Sequence, residues 1–198
     1  MNLFKNEHSL LNVFFRSTPC TIPLILFIIY FSTRNIFIFY LILGWFAMDY
    51  IVVNSLKNII FKPLGNYLSN IYKSDDFPII GRFKRPIGAT NCGCFYVGPD
   101  EFSFSQGMPS GHSILSGFVA IFMYNFIIDN YKIKSKYKPI ILFLTICFIL
   151  YTMYSRVLMN CHTIQQTIFG AIIGSICGYY YYLYIINNIK KQKILKQK

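Results

Sequence analysis

Apolar residues along this chain are bunched into five runs separated by polar and charged segments. The first run, 19–31, is short for a bilayer crossing, which takes roughly 20 apolar residues, and it reads as a tilted or partial span. Only Ser32, Thr33, Arg34 and Asn35 separate it from the second run, 36–53, so the two are expected to form a helical hairpin. The stretch 57–108 that follows is rich in Gly, Pro, Asn and charge and reads as one extramembrane loop. Three further runs cover 109–128, 139–154 and 163–186. In the last, Gly170, Gly174 and Gly178 recur at four-residue spacing, the pattern that lets a neighbouring membrane helix approach closely. Tyr179, Tyr180, Tyr181, Tyr182 and Tyr184 then form an aromatic cluster of the kind found near a membrane surface. Together the runs predict an all-α, polytopic transmembrane bundle of about five spans, built as a single domain over the whole chain. Arg16 and Pro19 interrupt the N-terminal stretch and no small-residue cleavage site follows, so it does not read as a signal peptide.

Composition sharpens this. Hydrophobic residues make up 55% of the chain, aromatics 19% and charged residues only 13%, about half the charged share usual in soluble domains. A net charge of +12 raises the question of nucleic acid. The basic residues, however, fall in short segments between apolar runs, as in membrane proteins, and no nucleic-acid partner is expected. With five spans, Arg34, Lys132, Lys134, Lys136 and Lys138 share a side with Lys190, Lys191, Lys193, Lys196 and Lys198. Lys5, Arg16, Lys57, Lys62, Lys73, Arg82, Lys84, Arg85 and Arg156 lie opposite, most of them in the long loop, diluted by Asp75, Asp76, Asp100 and Glu101. Long loops count for less in setting orientation. The C-terminus is therefore expected in the cytosol and the long loop on the non-cytosolic face, lumenal or external, with the endoplasmic reticulum as one such membrane.

Candidate chemistry gathers on that non-cytosolic side. Of the three histidines, His112 sits in Pro109-Ser110-Gly111-His112 at the head of the third run, and His162 heads the fifth, six residues after Arg156. Helix starts expose unpaired N–H groups and the positive end of the macrodipole, which suits a phosphate. Pro is comfortable in a first turn, while Ser and Gly offer donors without bulk. Arg85 and Arg156 each carry a guanidinium fork that matches phosphate oxygens.

These strings resemble the motifs of the type 2 phosphatidic acid phosphatase superfamily, whose catalytic fold is shared with vanadium haloperoxidases. Pro109-Ser110-Gly111-His112 is the family's complete second motif, and Ser155-Arg156 with His162 matches its third. The first motif is split: Lys57 resembles its opening, but the Arg-Pro pair comes only at Arg85-Pro86, after an insertion of about twenty residues. Lys57 is the first candidate for the phosphate-binding lysine, with Lys62, Arg82 and Lys84 behind it. Where the family usually has Asp, this chain has Gln166, one helical turn from His162 and able to accept its Nδ1–H. Tyr154-Ser155-Arg156-Val157, His162-Thr163, Gln166 and Gly107-Met108-Pro109-Ser110 are most similar to the dolichyldiphosphatase form.

The resemblance implies a hydrolase acting on a lipid phosphate or pyrophosphate, first among them a dolichyl or other polyisoprenyl diphosphate. His162 would be the nucleophile, His112 the acid and base, and Gln166 the orienting partner. Lys57, Arg85, Ser110, Gly111 and Arg156 would hold the phosphoryl oxygens. No metal and no cofactor are implied. An Asp at 166 would restore the commoner family pairing and is expected to be tolerated. A phosphatidate-type lipid monoester phosphatase, a headgroup phosphotransferase on the same fold and a non-catalytic membrane relative are the alternatives. Asp49, ionisable within a span, is read mainly as structural, with compensation for the acid missing at 166 as the other reading. Cys92 or Cys94 is open to pairing with another loop cysteine, and Cys161 ranks low as a nucleophile.

Overall fold

The computed structural model describes residues 17–74, 76–77, 79–89, 92–93 and 106–195, together with residue 14. Lys5, Arg16, Asp75, Cys94, Asp100, Glu101, Lys196 and Lys198, weighed above for charge or chemistry, lie outside those residues.

Helix α1, Thr18–Thr33, carries Pro19 in its first turn, where the missing N–H costs nothing, and Thr21 Oγ1 donates to Ser17 O at 3.1 Å. Its 16 residues rise only ~24 Å, short of the ~30 Å hydrocarbon layer. Arg34 closes it in the left-handed conformation (φ 52°), donating its N–H to Tyr30 O. Asn35 at once caps the next helix, α2 (Ile36–Tyr72), its side chain accepting the Phe37 N–H at 2.9 Å. The expected hairpin forms: the Tyr30 and Phe39 rings meet at 5.5 Å and those of Phe27 and Phe46 at 6.4 Å.

Helix α2 departs from the sequence reading. It does not stop near 53 but runs through Ile36–Tyr72, so residues 57–72, expected as loop, are helical. It is α-helical over Ile36–Ala47, passes through π-helical turns at Met48–Val53 and Leu56–Phe61, and is α-helical again over Lys62–Tyr72. The two π turns contain Asp49 and Lys57, one each; wide turns of this kind recur at functional sites. Tertiary packing overrides the loop-like composition here. The returning chain lays Phe83 on Gly65, whose Cβ position would be 2.8 Å from that side chain, and sets the same ring 6.2 Å from Phe61.

Helix α3, Gly111–Asn130, is the axis of the bundle, with buried residues along its length from Ser113 to Phe126. Helix α4 spans Lys138–Leu158 behind a 3-10 turn at Ser135–Tyr137, and α5 spans Ile164–Leu195. The core joins Leu41 and Trp45 of α2, Ile114, Phe118 and Phe122 of α3, and Tyr182 of α5. The glycine stripe acts as its spacing predicts. A Cβ on Gly170 would lie 2.6 Å from Ser110 O, and Gly174 and Gly178 press on Ile114 O and Phe118 O one and two turns below. A methyl at any of the three would drive α5 off α3. The tyrosine cluster divides: Tyr181 donates to Tyr40 O at 2.9 Å and buried Tyr182 to Asp129 at 2.8 Å, whereas Tyr179, Tyr180 and Tyr184 are exposed.

Four described helices are long and apolar enough to cross a membrane: Ile36–Tyr72, Gly111–Asn130, Ser135–Leu158 and Ile164–Lys191. Their outer faces carry Phe143, Leu144 and Ile172, large apolar side chains that a bilayer accommodates. The chain is a multi-pass, all-α membrane protein.

Candidate active site

The site begins with how α4 ends. Met159 caps it through a bond to Ser155 O, Asn160 turns left-handed (φ 52°), and the N–H groups of Cys161 and His162 both return to Arg156 O, at 3.0 and 3.3 Å. This turn delivers His162 to the head of α5, where it is 2% exposed. Thr163 and Gln166 then form a reciprocal capping pair: Gln166 N–H donates to Thr163 Oγ1 at 3.4 Å, and Thr163 N–H donates to Gln166 Oε1 at 3.2 Å.

Gln166 does more than cap. Its Oε1 lies 2.9 Å from His162 Nδ1, and its Nε2 donates to Arg82 O at 2.6 Å and Lys84 O at 2.8 Å. Two carbonyls fix which end of the amide is nitrogen, so the oxygen faces the imidazole. His162 Nδ1 must therefore carry the hydrogen, which leaves Nε2 with its lone pair. The two carbonyls also explain the residue type. A carboxylate at 166 would set negative oxygens against them and supply no donor.

The loop is pinned beside this pair. Gly107 and Met108 both donate to Phe83 O at 2.9 Å, Lys84 and Gln106 form an antiparallel bridge, and Ser110 N–H donates to Gln166 O at 3.0 Å. Gly107 faces the Gln166 amide so closely that a Cβ there would come within 2.6 Å of it. The chain around the Arg-Pro pair and the one leading into Pro109 thus meet on Gln166.

Three cations surround the imidazole. Arg156 is fully buried and donates from Nη2 to Cys92 O at 2.8 Å. Arg85 donates from Nη1 to Cys161 O at 3.2 Å. Lys57, two turns after Asp49, acts electrostatically on His162 together with both arginines. Burial above all, and then the charges of Arg85, Arg156 and Lys57, hold the His162 pKa well below its ordinary value, only partly opposed by the Gln166 bond. Burial likewise lowers that of Arg85. The imidazole is neutral at neutral pH.

Ser110 is buried and caps α3, accepting from Ser113 N–H at 3.4 Å and from Ser113 Oγ at 3.2 Å. Gly111 is half-buried, with Val53 Cγ1 at 3.3 Å from where a Cβ would stand. His112 is half-buried in the first turn of the same helix.

Of the four candidates for the lysine position, only Lys57 acts on His162 among the charges that shift it. The side chains of Lys62 and Lys84 are exposed, and Arg82 lies 3.6 Å from Asp76; Arg82 and Lys84 reach the site through their carbonyls instead. The charge facing Asp49 is Lys57, not the His162–Gln166 pair, and Asn54 turns away to donate to Tyr50 O. Cys161 is bonded to Cys92 in a disulfide and is no nucleophile. Among the described residues no three His, Cys, Asp or Glu side chains cluster as metal ligands. The sequence reading missed the capping role of Gln166, although Thr163-x-x-Gln166 is a legible capping-box pattern. It left open whether Cys92 or Cys94 pairs with another loop cysteine; the structure joins Cys92 to Cys161. An apolar groove of about 390 Å³ runs between α4 and α5, starting at Met153 and Ile168, beside Arg156 and Gln166 in the chain.

Compared with known proteins, residues 35–190 match the family model described as PAP2 superfamily. No curated protein and no solved structure matches the chain.

Proposed function

This chain belongs to the PAP2 superfamily, and on that premise we propose that it is a membrane phosphatase hydrolysing a lipid phosphate or pyrophosphate. A polyisoprenyl diphosphate of the dolichyl type is the leading substrate. The observation that carries the reading is His162, buried and neutral, its Nδ1–H held by Gln166 and its surroundings populated by Arg85, Arg156 and Lys57.

In this reading Nε2 of His162 attacks phosphorus, and the bond from phosphorus to the leaving oxygen breaks, giving a phosphohistidine. His112 gives its proton to the leaving oxygen, then takes one from the water that cleaves the P–N bond and releases phosphate. Lys57, Arg85 and Arg156 neutralise the equatorial oxygens, with the Ser110 hydroxyl and Gly111 N–H as further donors, so charge stabilisation is built from this chain's own groups. The preference for a diphosphate rests on Gln166 and the motif residues around it. A lipid tail is supported by the apolar groove lined by Met153, Ile168, Ala171 and Ile172, on the two helices that also carry Arg156 and Gln166.

The Cys92–Cys161 disulfide supports a non-cytosolic site, because such bonds persist in oxidising compartments. The basic segments around Lys132–Lys138 and the C-terminal lysines support a cytosolic C-terminus.

The deciding experiment is phosphate release by the purified chain in detergent micelles from a polyisoprenyl diphosphate and from phosphatidate, with His162→Ala as control. Release from the diphosphate at a higher kcat/KM, lost in the variant, is expected. Release from neither substrate, or equal release by the variant, sinks the assignment.

A further inference from the structure

The disulfide joins residues 69 positions apart, with Cα atoms 5.5 Å from each other. Its two half-cystines share an uncommon feature. The carbonyl of Cys92 accepts Nη2 of Arg156, and the carbonyl of Cys161 accepts Nη1 of Arg85. Each arginine is thus oriented by the backbone of one end of the same covalent bridge, in a crossed arrangement. Arg156, from α4, is bound by the loop cysteine; Arg85, from the loop, is bound by the cysteine that follows α4. Cys161 also precedes His162 directly, so the bridge touches the imidazole's own backbone.

Other contacts also tie this part of the loop. Between Arg85 and Cys92 they include a turn from Ala89 N–H to Pro86 O at 3.2 Å, a left-handed Gly88 (φ 79°), and a bond from Asn160 Nδ2 to Ile87 O at 3.1 Å. Around the sulfurs, Ala89, Cys92 and Cys161 form a small buried cluster with Met159 against it, separate from the main core. The motif likeness does not require a cysteine at either position. The bridge is placed where it sets two guanidinium groups and the segment entering His162.

We infer that the Cys92–Cys161 disulfide is a positioning element for phosphoryl transfer, which aims Arg85 and Arg156 through its two carbonyls, and that its reduction disarms the site. This rests on the phosphatase reading above. The step balances with a dithiol as reductant: the S–S bond takes two electrons and two protons to give two thiols, and the dithiol closes to its own disulfide. Freed from the bridge, the Cys92 carbonyl has no covalent tie to the turn after α4. The guanidinium bonded to it then shares the motion of that segment, while the helices keep their packing. Misplacing donors around a developing charge costs about tenfold to a hundredfold in rate.

The test uses the full chain in micelles with Cys94→Ser, so that Cys92 has no neighbouring thiol to exchange with. Turnover of lipid phosphate and the affinity for orthovanadate, measured by titration calorimetry, are compared in oxidised, dithiothreitol-reduced and reoxidised protein, with circular dichroism for helix content. Reduction is expected to lower kcat about tenfold or more with a smaller change in KM, to weaken orthovanadate binding by a similar factor, and to be reversed on reoxidation at constant helix content. Cys92→Ser and Cys161→Ser should start low and not respond to the dithiol. Unchanged orthovanadate affinity on reduction overturns the inference, and so does loss of helix content, which would make the bridge a staple of the fold. If oxidised protein releases no phosphate, the phosphatase reading falls, while the orthovanadate titration still decides the role of the bridge.

Discussion

Gly107 stands so near Gln166 that a Cβ added to it would come within 2.6 Å of Nε2 and 2.8 Å of Oε1, and 2.9 Å from the backbone nitrogen of Arg85. The glycine is what allows the strand-like entry to Pro109 and the loop at Arg85 to close on one amide. Gly107→Ala is therefore expected to displace Gln166, and with it the imidazole, by a few tenths of an ångström to an ångström. Displacements of that size cost up to about a hundredfold in rate. The check is kcat/KM with helix content held constant; an Ala variant as fast as wild type would show that the amide does not fix the imidazole.

Gln166 itself gives a sharper test, because the geometry reverses the expectation drawn from the family's commoner Asp. Both amide hydrogens are given to carbonyls, at 2.6 and 2.8 Å. Asp is a methylene shorter, and neither Asp nor Glu offers a donor when ionised. Leaving a buried acceptor unsatisfied costs roughly 1–3 kcal/mol. Gln166→Asp and Gln166→Glu are expected to unfold more easily by about 2 kcal/mol or more and to lose activity together with Gln166→Ala. Thermal melting and turnover read this directly. Wild-type turnover in Gln166→Asp would mean that the loop carbonyls find other donors.

Much of the bundle was legible because hydrophobic runs and the Gly170–Gly174–Gly178 stripe report burial locally. The continuation of α2 to Tyr72 was not, since Lys57, Lys62, Pro63 and Gly65 read as loop and the helix is held by Phe83, a residue distant in sequence. For the same reason the split first motif could be suspected but not closed: what brings Lys57 and Arg85 to one imidazole is the loop's return, pinned at Phe83 O and Gln166. The motif histidines were visible as strings; the donors behind Gln166 are backbone carbonyls, which no side-chain pattern announces. Tyr181 and Tyr182 turn inward because Tyr40 O and Asp129 lie opposite, a pairing that adjacency along α5 does not reveal.

His162 also links the site to stability. Burial and three cations keep its folded pKa well below the unfolded value, so the folded site refuses a proton that the unfolded chain accepts. Stability on this account is highest above the unfolded pKa of about 6.5 and falls as the pH drops below it, by at most about 1.4 kcal/mol per pH unit for one group. Denaturant midpoints for wild type and His162→Asn between about pH 5 and 7.5 measure the difference. The variant should lack this part of the slope; identical slopes would mean that the imidazole is not held neutral.

Orientation follows from accessibility. With the site on the non-cytosolic face, Ser74→Cys should react with an impermeant maleimide from outside intact cells or inside intact lumens. Ser135→Cys, in the short basic segment before α4, should react only after the membrane is opened. The reverse pattern would put the Cys92–Cys161 bridge in a reducing compartment, and the charge argument would fall with it.

In the proposed mechanism the two histidines divide the reaction between them, so their variants should fail in different ways. His162→Ala is expected to abolish both turnover and any acid-labile phosphoenzyme, since it removes the nitrogen assigned to attack phosphorus. His112→Ala should stop turnover of a lipid substrate, whose leaving oxygen needs a proton. A phosphate ester with a very good leaving group needs little protonation, so it should still phosphorylate His162 in that variant. The adduct should then persist, because water lacks its base. Rapid quench followed by acid and alkali lability separates these cases. A phosphoenzyme in His162→Ala, or full lipid turnover in His112→Ala, would remove the roles given to both residues.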